Sequence, residues 1–366
     1  SYSEIAIEGR SQHRSQGEGR IEVKGERFSG LNLLESKVAK IEKESSVFDG
    51  LDTTVTGLSA VNGLTADLAA IKSSAEIALK EYRPADPRGI STTLLNGLKA
   101  TCAARAKLLN SNELTDRTID QVLARKESEF SAALAAIFGV TIDALSDKET
   151  IVPGDDLVVN VNAYFPKGEQ VSLKQISLKV PDGWAAAKTA APTAAAPGFG
   201  GRDTANQAEY YNVTVAKNAR ITQPYWLEDP RESDLFSWPG TDVQNLPFQP
   251  QALIATATFD VNGADVKVEQ PVQYRFADPS RGEIRREINV VPALSIAVDQ
   301  KLIIVPQSDK PQMRKLGLTI TSNAAKPVSG VSALNINAMP EWKYGSDKSA
   351  FSLKNKGENT NTTFDI

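Results

Sequence analysis

The stretch Asp147-Lys148-Glu149-Thr150-Ile151-Val152-Pro153-Gly154-Asp155-Asp156, followed by Leu157-Val158-Val159-Asn160-Val161-Asn162-Ala163, divides the chain into two kinds of structure. Ile151 to Asp156 reads as a turn. Beyond it Leu157, Val159, Val161 and Ala163 alternate with Val158, Asn160 and Asn162, the period of two expected of a half-buried strand. Upstream, the apolar spacing is that of helices.

There, Leu58, Val61, Leu64, Leu68, Ile71, Ala75 and Leu79 recur at steps of three and four, which predicts one stripe of an amphipathic helix. Pro84 and Pro87 interrupt it. Leu94, Leu95, Leu98, Cys102 and Leu109 predict a second helix; Ile119, Val122, Leu123, Phe130, Leu134 and Ile137 predict a third, with Gly139 as its C-cap. With a shorter helix around Leu31 to Ile41, these make a small antiparallel bundle. It reads as a self-contained core or as a partner-binding module. Cys102 falls on the apolar stripe and is expected to be an inert packing residue.

Downstream, Val171, Leu173 and Gln175 against Ile176, Leu178 and Val180 predict a strand with a bulge or register change, closed by Pro181-Asp182-Gly183-Trp184. Further strands are expected at Tyr211 to Val215 and Leu253 to Phe259. Asn262-Gly263 carries the type I′ hairpin signature, with Val266 and Val268 alternating beyond it. After Pro292, alternation at Leu294, Ile296 and Val298, at Leu316, Leu318 and Ile320, and at Val331, Ala333 and Asn335 predicts a second sandwich. It stops inside a strand-like segment at Phe364-Asp365-Ile366, as a small domain or a cut one would. The fold class is therefore multidomain, α then β: a helical bundle followed by two immunoglobulin-like antiparallel β-sandwiches. The expected segments are 1–28, 29–146 (bundle), 147–288 (sandwich with long loops) and 289–366 (second sandwich).

Composition narrows the function. A chain of 366 residues is long enough for several domains. A net charge of -4 gives no basic field to draw nucleic acid, and no apolar run is long enough to span a bilayer. One cysteine, Cys102, makes no internal disulfide, and one histidine, His13, leaves too few ligands for a tetrahedral zinc site. A Ser-His-Asp triad would have to be built on His13, and no G-x-S-x-G nucleophile motif accompanies it. Ser1 is not a methionine and no signal-peptide pattern follows it, so the start is expected to be a processed or engineered end. Asn212-Val213-Thr214 and Asn361-Thr362-Thr363 fit the glycosylation pattern but carry no weight.

Near the start, Tyr2-Ser3-Glu4-Ile5-Ala6 and Gly9-Arg10-Ser11-Gln12-His13-Arg14-Ser15-Gln16-Gly17 read as a helix over about Ser3 to Gln16 that Gly17 breaks. This block resembles the C-terminal part of the PIG-L/LmbE-type zinc-dependent de-N-acetylases, in which an H-x-S-Q element follows the metal-binding segments. Here that element is His13-Arg14-Ser15-Gln16. Tyr274-Arg275-Phe276-Ala277-Asp278-Pro279, Arg281 to Arg286 and Val290 to Leu294 also resemble a segment of the large bacterial members. The resemblance implies a parent C–N hydrolase whose zinc-bound water attacks the acetamide of an N-acetylated amino sugar or glycoconjugate. The family's H-P-D-D-E motif is absent from this sequence, so residues 1–28 would be the remnant of a catalytic domain and the chain would be inactive alone. Its first partner would be that N-terminal catalytic domain, which would carry the zinc; no catalytic or metal residue is assigned in this chain. His13 and Gln16 would lie beside the parent's substrate pocket, or His13 would simply hydrogen-bond locally at a helix end.

Two long loops interrupt the first sandwich. Ala185 to Gln207 is rich in Ala, Pro and Gly and reads as a long mobile loop. Thr222 to Gln251 carries Tyr225, Trp226, Phe236, Trp238 and Phe248 among Glu228, Asp229, Arg231, Glu232 and Asp234. Rings beside carboxylates suit a sugar cleft, so Tyr225, Trp226 and Trp238 are candidate glycan contacts; alternatively the rings bury themselves to anchor the loop. Asp229 and Glu232 could form a glycosidase acid/base pair. The cluster Arg281, Arg285 and Arg286 with Glu283 and Glu287 reads as a solvated or interdomain ion-pair face. Thr150 through Trp184 further resembles sandwich domains carried behind the catalytic modules of bacterial glycoside-active enzymes. The expected role is thus a non-catalytic accessory region of a de-N-acetylase-like protein, periplasmic or extracellular. The alternatives are a carbohydrate-binding or cell-envelope module, or a structural spacer or dimerisation platform.

Overall fold

The computed structural model describes residues 2–17, 25, 30, 32, 34–35, 46, 48–58, 63–109, 113–166, 168, 170–192, 205–238, 246, 248–308, 310–334 and 348–366. The chain divides into two compact units, Ser1–Gly57 and Leu58–Ile366. In the first, helix α1 spans Tyr2–Ser11 and gives way to a 3-10 turn at Arg14–Gln16. The helix expected to reach Gln16 thus ends earlier. The Gln12 and His13 amides donate to the i−3 carbonyls of Gly9 and Arg10, which tightens the last turn before Gly17 enters the left-handed region at φ 79°. The helix expected around Leu31 to Ile41 lies outside the described residues, save Asn32, Leu34 and Glu35, which carry no regular structure.

The second unit begins with three helices, α2 (Thr65–Glu81), α3 (Ser91–Leu108) and α4 (Leu114–Phe138). Their buried faces differ in part from the apolar stripes. Leu64, Leu68, Ile71, Ser74 and Ala78 form the inner face of α2, while Leu79 is 84% exposed. On α3, Gly97, Thr101 and Ala104 lie inward and Cys102 is exposed, so this thiol is no core residue. Small residues win those positions because the helices approach closely: a Cβ on Gly97 would strike the Phe130 ring of α4 and sit 3.0 Å from Cβ of Ser74 on α2. The α4 helix closes as expected at Gly139, φ 67°. The Gly139 amide donates to the Ala136 carbonyl and Val140 to Ala135 at 2.8 Å, a Schellman cap.

The chain then becomes β: β1 (Thr141–Ser146), β2 (Thr150–Ile151), β3 (Asp156–Tyr164), β4 (Val171–Lys179), β5 (Ala185–Thr189), β6 (Gln207–Thr214), β7 (Ile254–Val261), β8 (Ala264–Pro271), β9 (Gln273–Asp278), β10 (Gly282–Glu287) and β11 (Asn289–Val290). One sheet runs β10-β9-β1-β3-β6-β5 and the facing one β4-β7-β8. Between them lie Leu157, Val159, Val161 and Ala163 of β3 and Ala255, Ala257, Phe259 and Val261 of β7, all essentially inaccessible. Tyr211 of β6 spans the layers: its hydroxyl donates to Glu209 Oε2 at 2.6 Å and lies 3.0 Å from the Ile176 carbonyl of β4. The α4 helix covers β8, where Lys267 reaches Glu127 at 3.9 Å.

Several local expectations are met. The β4–β7 register slips between Leu173 and Gln175, and Asn262 and Gly263 take φ of 50° and 79° in the β7–β8 hairpin. Three differ. Thr141–Ser146, placed with the helices on sequence, is a strand inside the larger sheet. Ala185–Thr189, placed in a mobile loop, is the edge strand paired with β6. Pairing is also not wholly antiparallel: β1 runs parallel to β9, and β2 to β11. Long intervening segments permit that, as a short hairpin could not.

The final sheets are β12-β13-β16 and β14-β15, built from β12 (Leu294–Val298), β13 (Lys315–Ser322), β14 (Val328–Ala333), β15 (Lys348–Leu353) and β16 (Asn359–Asp365). The linker into them is strapped down. Val291 donates to Ile151, Thr222 exchanges hydrogen bonds with Val290, and Lys356 Nζ reaches both the carbonyl and hydroxyl oxygens of Thr150 at 2.9 and 2.8 Å.

Candidate functional site

The strapped linker forms one wall of a cleft of about 470 Å³ at the end of the first sandwich. A second wall is the turn after β4. Its Trp184 amide donates to the Pro181 carbonyl at 3.1 Å, and Gly183, at φ 80°, lets the chain reverse against Ala216. The remaining walls are the two feet of the aromatic loop, from Asn218 to Thr222 with Glu228, and from Gln249 to Ala252. Leu253, 2% exposed, pins the second foot into the core.

The polar groups are a mixed set. Arg220 Nη1 donates to Glu228 Oε2 at 2.9 Å, while Asp182 and Glu287, which also line the cleft, have no ion-pair partner among the described residues. Half-buried Trp184 supplies one flat ring, and Asn218, Gln249 and Gln251 supply amides that both donate and accept. A ring with convergent amides and carboxylates binds polyhydroxylated ligands: the ring covers a sugar face, and the polar groups exchange hydrogen bonds with hydroxyls.

Of the sequence-derived candidates, Tyr225, Trp226 and Trp238 stand on the loop whose feet wall this cleft but do not line it. Tyr225 is buried, donates its hydroxyl to the Leu246 carbonyl at 2.7 Å, and stacks on Trp238 at 5.3 Å and edge-on to Trp226 at 5.0 Å. These three rings hold the loop to itself. Trp238 still exposes 47% of its surface, and Phe236, under Arg231, exposes 49%. Asp229 and Glu232 are exposed. His13 Nδ1 donates to Gln16 Oε1 at 3.0 Å in the first unit. Asn218, Arg220, Gln249 and Gln251 carry no sequence signal; Trp184 carries one, the Pro-Asp-Gly-Trp strand end, and Glu287 belongs to the charged cluster read as an ion-pair face, yet makes no ion pair among the described residues.

Two other clusters are saturated. In a groove of about 340 Å³ between α4 and β8, Arg105 bonds Asp120 at 2.8 Å and Glu127 at 2.6 Å, which holds its guanidinium charged. Beside it, burial and the Glu127 carboxylate push the Cys102 thiol up. On the sheet, Asp143 accepts from Arg285 at 2.6 Å and Arg275 at 3.2 Å, tying β1 to β9 and β10, so part of the Arg281 to Arg286 cluster is an ion-pair face. Among the described residues no three of His, Cys, Asp and Glu converge.

No protein-family model matches the chain. No curated protein matches it. Among solved structures, a DUF4785 family protein from Legionella pneumophila aligns over 62% of this chain and 47% of its own, at 10% identity and TM-score 0.21. FdeC, an Escherichia coli adhesin, aligns over 59% and 55%, at 11% identity and TM-score 0.19. The chain thus spans about half the length of the solved chains it matches. No described helix is long and apolar enough to cross a membrane.

Proposed function

We propose that this chain is a non-catalytic accessory region that holds glycan at the cleft between the Pro181–Trp184 turn, the loop feet and the linker. The observation that carries the reading is the junction of one accessible tryptophan with several uncommitted amides and carboxylates in a cleft of about 470 Å³. The half-exposed ring of Trp238 offers a second stacking surface on the same loop. The two pairs of facing sheets are read as immunoglobulin-like sandwiches, supported in the first by the interleaved order β1-β3-β6 and its inter-layer core. The resemblance around His13 supports the further proposal that the region serves a zinc-dependent de-N-acetylase-like domain in the periplasm or outside the cell.

Tryptophan fluorescence of the whole chain, titrated with amino-sugar oligomers, tests this. A saturable change is expected for the wild type and for Trp238→Ala in weakened form, and a loss of at least about tenfold in affinity for Trp184→Ala. No response to any glycan removes the binding role.

A further inference from the structure

The tip of the β7–β8 hairpin holds a dipeptide with chemistry of its own. Val261 pairs with Ala264, so Asn262 and Gly263 alone make the turn, and both are exposed. In an Asn-Gly pair the glycine nitrogen, unshielded by a side chain, can lose its proton and attack the asparagine Cγ. The N–Cγ bond forms, Cγ–Nδ2 breaks, and Nδ2 leaves as ammonia; water then opens the succinimide ring at either carbonyl, giving aspartate or isoaspartate. Attack requires the Gly263 nitrogen to shed its proton and the peptide plane to swing toward the Asn262 side chain. The folded hairpin opposes both. The Gly263 amide donates to Asp260 Oδ1 at 2.9 Å, and the Asn262 amide donates to the Gln170 carbonyl at 3.2 Å. Lys174 Nζ, from β4, holds the other Asp260 oxygen at 2.9 Å and also pairs with Asp265.

We propose that Asn262 is a latent deamidation site, kept closed in the folded protein by Asp260. The proposal is independent of the glycan reading. A carboxylate at this place has two opposite actions open to it: to take the Gly263 proton as a base, or to oppose its loss. Lys174 first, and then the Gly263 amide, hold the Asp260 carboxyl below its ordinary pKa, which makes it a poor base. Its negative charge beside the nitrogen disfavours the amide anion that attacks, so opposition wins. Of the chain's other Asn-Gly pairs, Asn96-Gly97 lies within α3, where the helix fixes the peptide plane, and Asn62 lies outside the described residues. Reaction at Asn262 matters to the fold: isoaspartate places an extra carbon in the main chain of a two-residue turn, and the Asp260–Asp265 register depends on that turn.

The experiment follows Asn262 by peptide mapping at acid pH, with aspartate and isoaspartate scored by tandem mass spectrometry, after weeks of incubation of the whole chain at pH 8 and 37 °C. The same chain in guanidinium chloride gives the unguarded rate. The folded wild type is expected to react at least about tenfold more slowly than the unfolded chain, as loss of a hydrogen bond to a charged group implies, and folded Asp260→Ala to lose most of that protection. An unchanged melting curve verifies the variant's fold. Hydrogen exchange at the Gly263 amide, expected to be slow in the wild type, tests the contact without any variant. Equal rates in folded and unfolded wild type, or exchange of the Gly263 amide at the free-peptide rate, overturn the closed site. A folded Asp260→Ala that reacts no faster than wild type assigns the protection to the turn alone, and one that reacts more slowly makes Asp260 a base; either overturns its guarding role.

Discussion

Replacing Gly97 by alanine is expected to destabilise the protein, although helix propensity alone predicts the reverse. In an exposed helix, Gly→Ala gains about 1 kcal/mol. Gly97 is buried in mid-α3, where an added Cβ would lie closer than 3.0 Å to two Phe130 ring carbons and 3.0 Å from Cβ of Ser74. Ordinary contact is 3.4–4 Å. The ring itself is packed, only 7% exposed, and cannot swing into solvent. Overpacking of this kind costs about 1–3 kcal/mol, so after the propensity gain the net loss runs up to about 2 kcal/mol.

The cause can be separated from any general intolerance of the site. In a Phe130→Leu background the obstructing ring is gone, and Gly97→Ala should become neutral or stabilising by up to about 1 kcal/mol. Urea melts followed at 222 nm, with all four proteins of the cycle compared at equal m, give the coupling directly. The expected interaction energy is about 1–3 kcal/mol, with opposite signs of the alanine effect in the two backgrounds. Stabilisation by Gly97→Ala in both would refute the close approach of α2, α3 and α4 at this point.

Two further outcomes follow from buried polar contacts. Tyr211→Phe removes the hydroxyl shared by Glu209 and the Ile176 carbonyl across the two sheets, and should cost about 1–2 kcal/mol in urea melts; no loss would mean the phenol does not join the layers. Cys102 is accessible yet pushed up by burial and by Glu127, so less of it is thiolate at pH 8 than in a free thiol. Its alkylation by iodoacetamide should be slower than that of free cysteine and should quicken in Glu127→Gln; a rate above that of free cysteine contradicts the environment described.

What the sequence discloses is what neighbours in the chain decide among themselves. Asn262-Gly263 adopts two positive φ angles because few other pairs do so cheaply, and Gly139 caps α4 for the same reason. The alternation from Leu157 to Ala163 survives because both sides of β3 are paired in one sheet. Where a partner decides, the pattern misleads. Leu79 continues an apolar stripe, but the inner face of α2 is set by Gly97 and Phe130, elements remote in sequence. Ala185–Thr189 has no strand propensity to notice; β6 supplies the hydrogen bonds that make it a strand. Thr141–Ser146 follows a helix cap so directly, and is so short, that its two-residue period cannot be told from the helix before it.

The same distinction governs the sites. Aromatic residues crowded into one loop were conspicuous, yet crowding lets rings satisfy each other, and Tyr225 spends its hydroxyl and both its neighbours on holding the loop closed. The Arg105 and Asp143 clusters are equally conspicuous in three dimensions, and they too are spent: every charge meets its opposite at hydrogen-bond distance, so a ligand would have to break a pair to enter. In the cleft, Asp182 and Glu287 are brought together by separate segments, the turn after β4 and the end of β10, beside an Arg220 whose charge is already bonded to Glu228. Folding holds those walls apart, through the strap of β2 and Thr222 on the linker and the cap of Trp184 on Pro181.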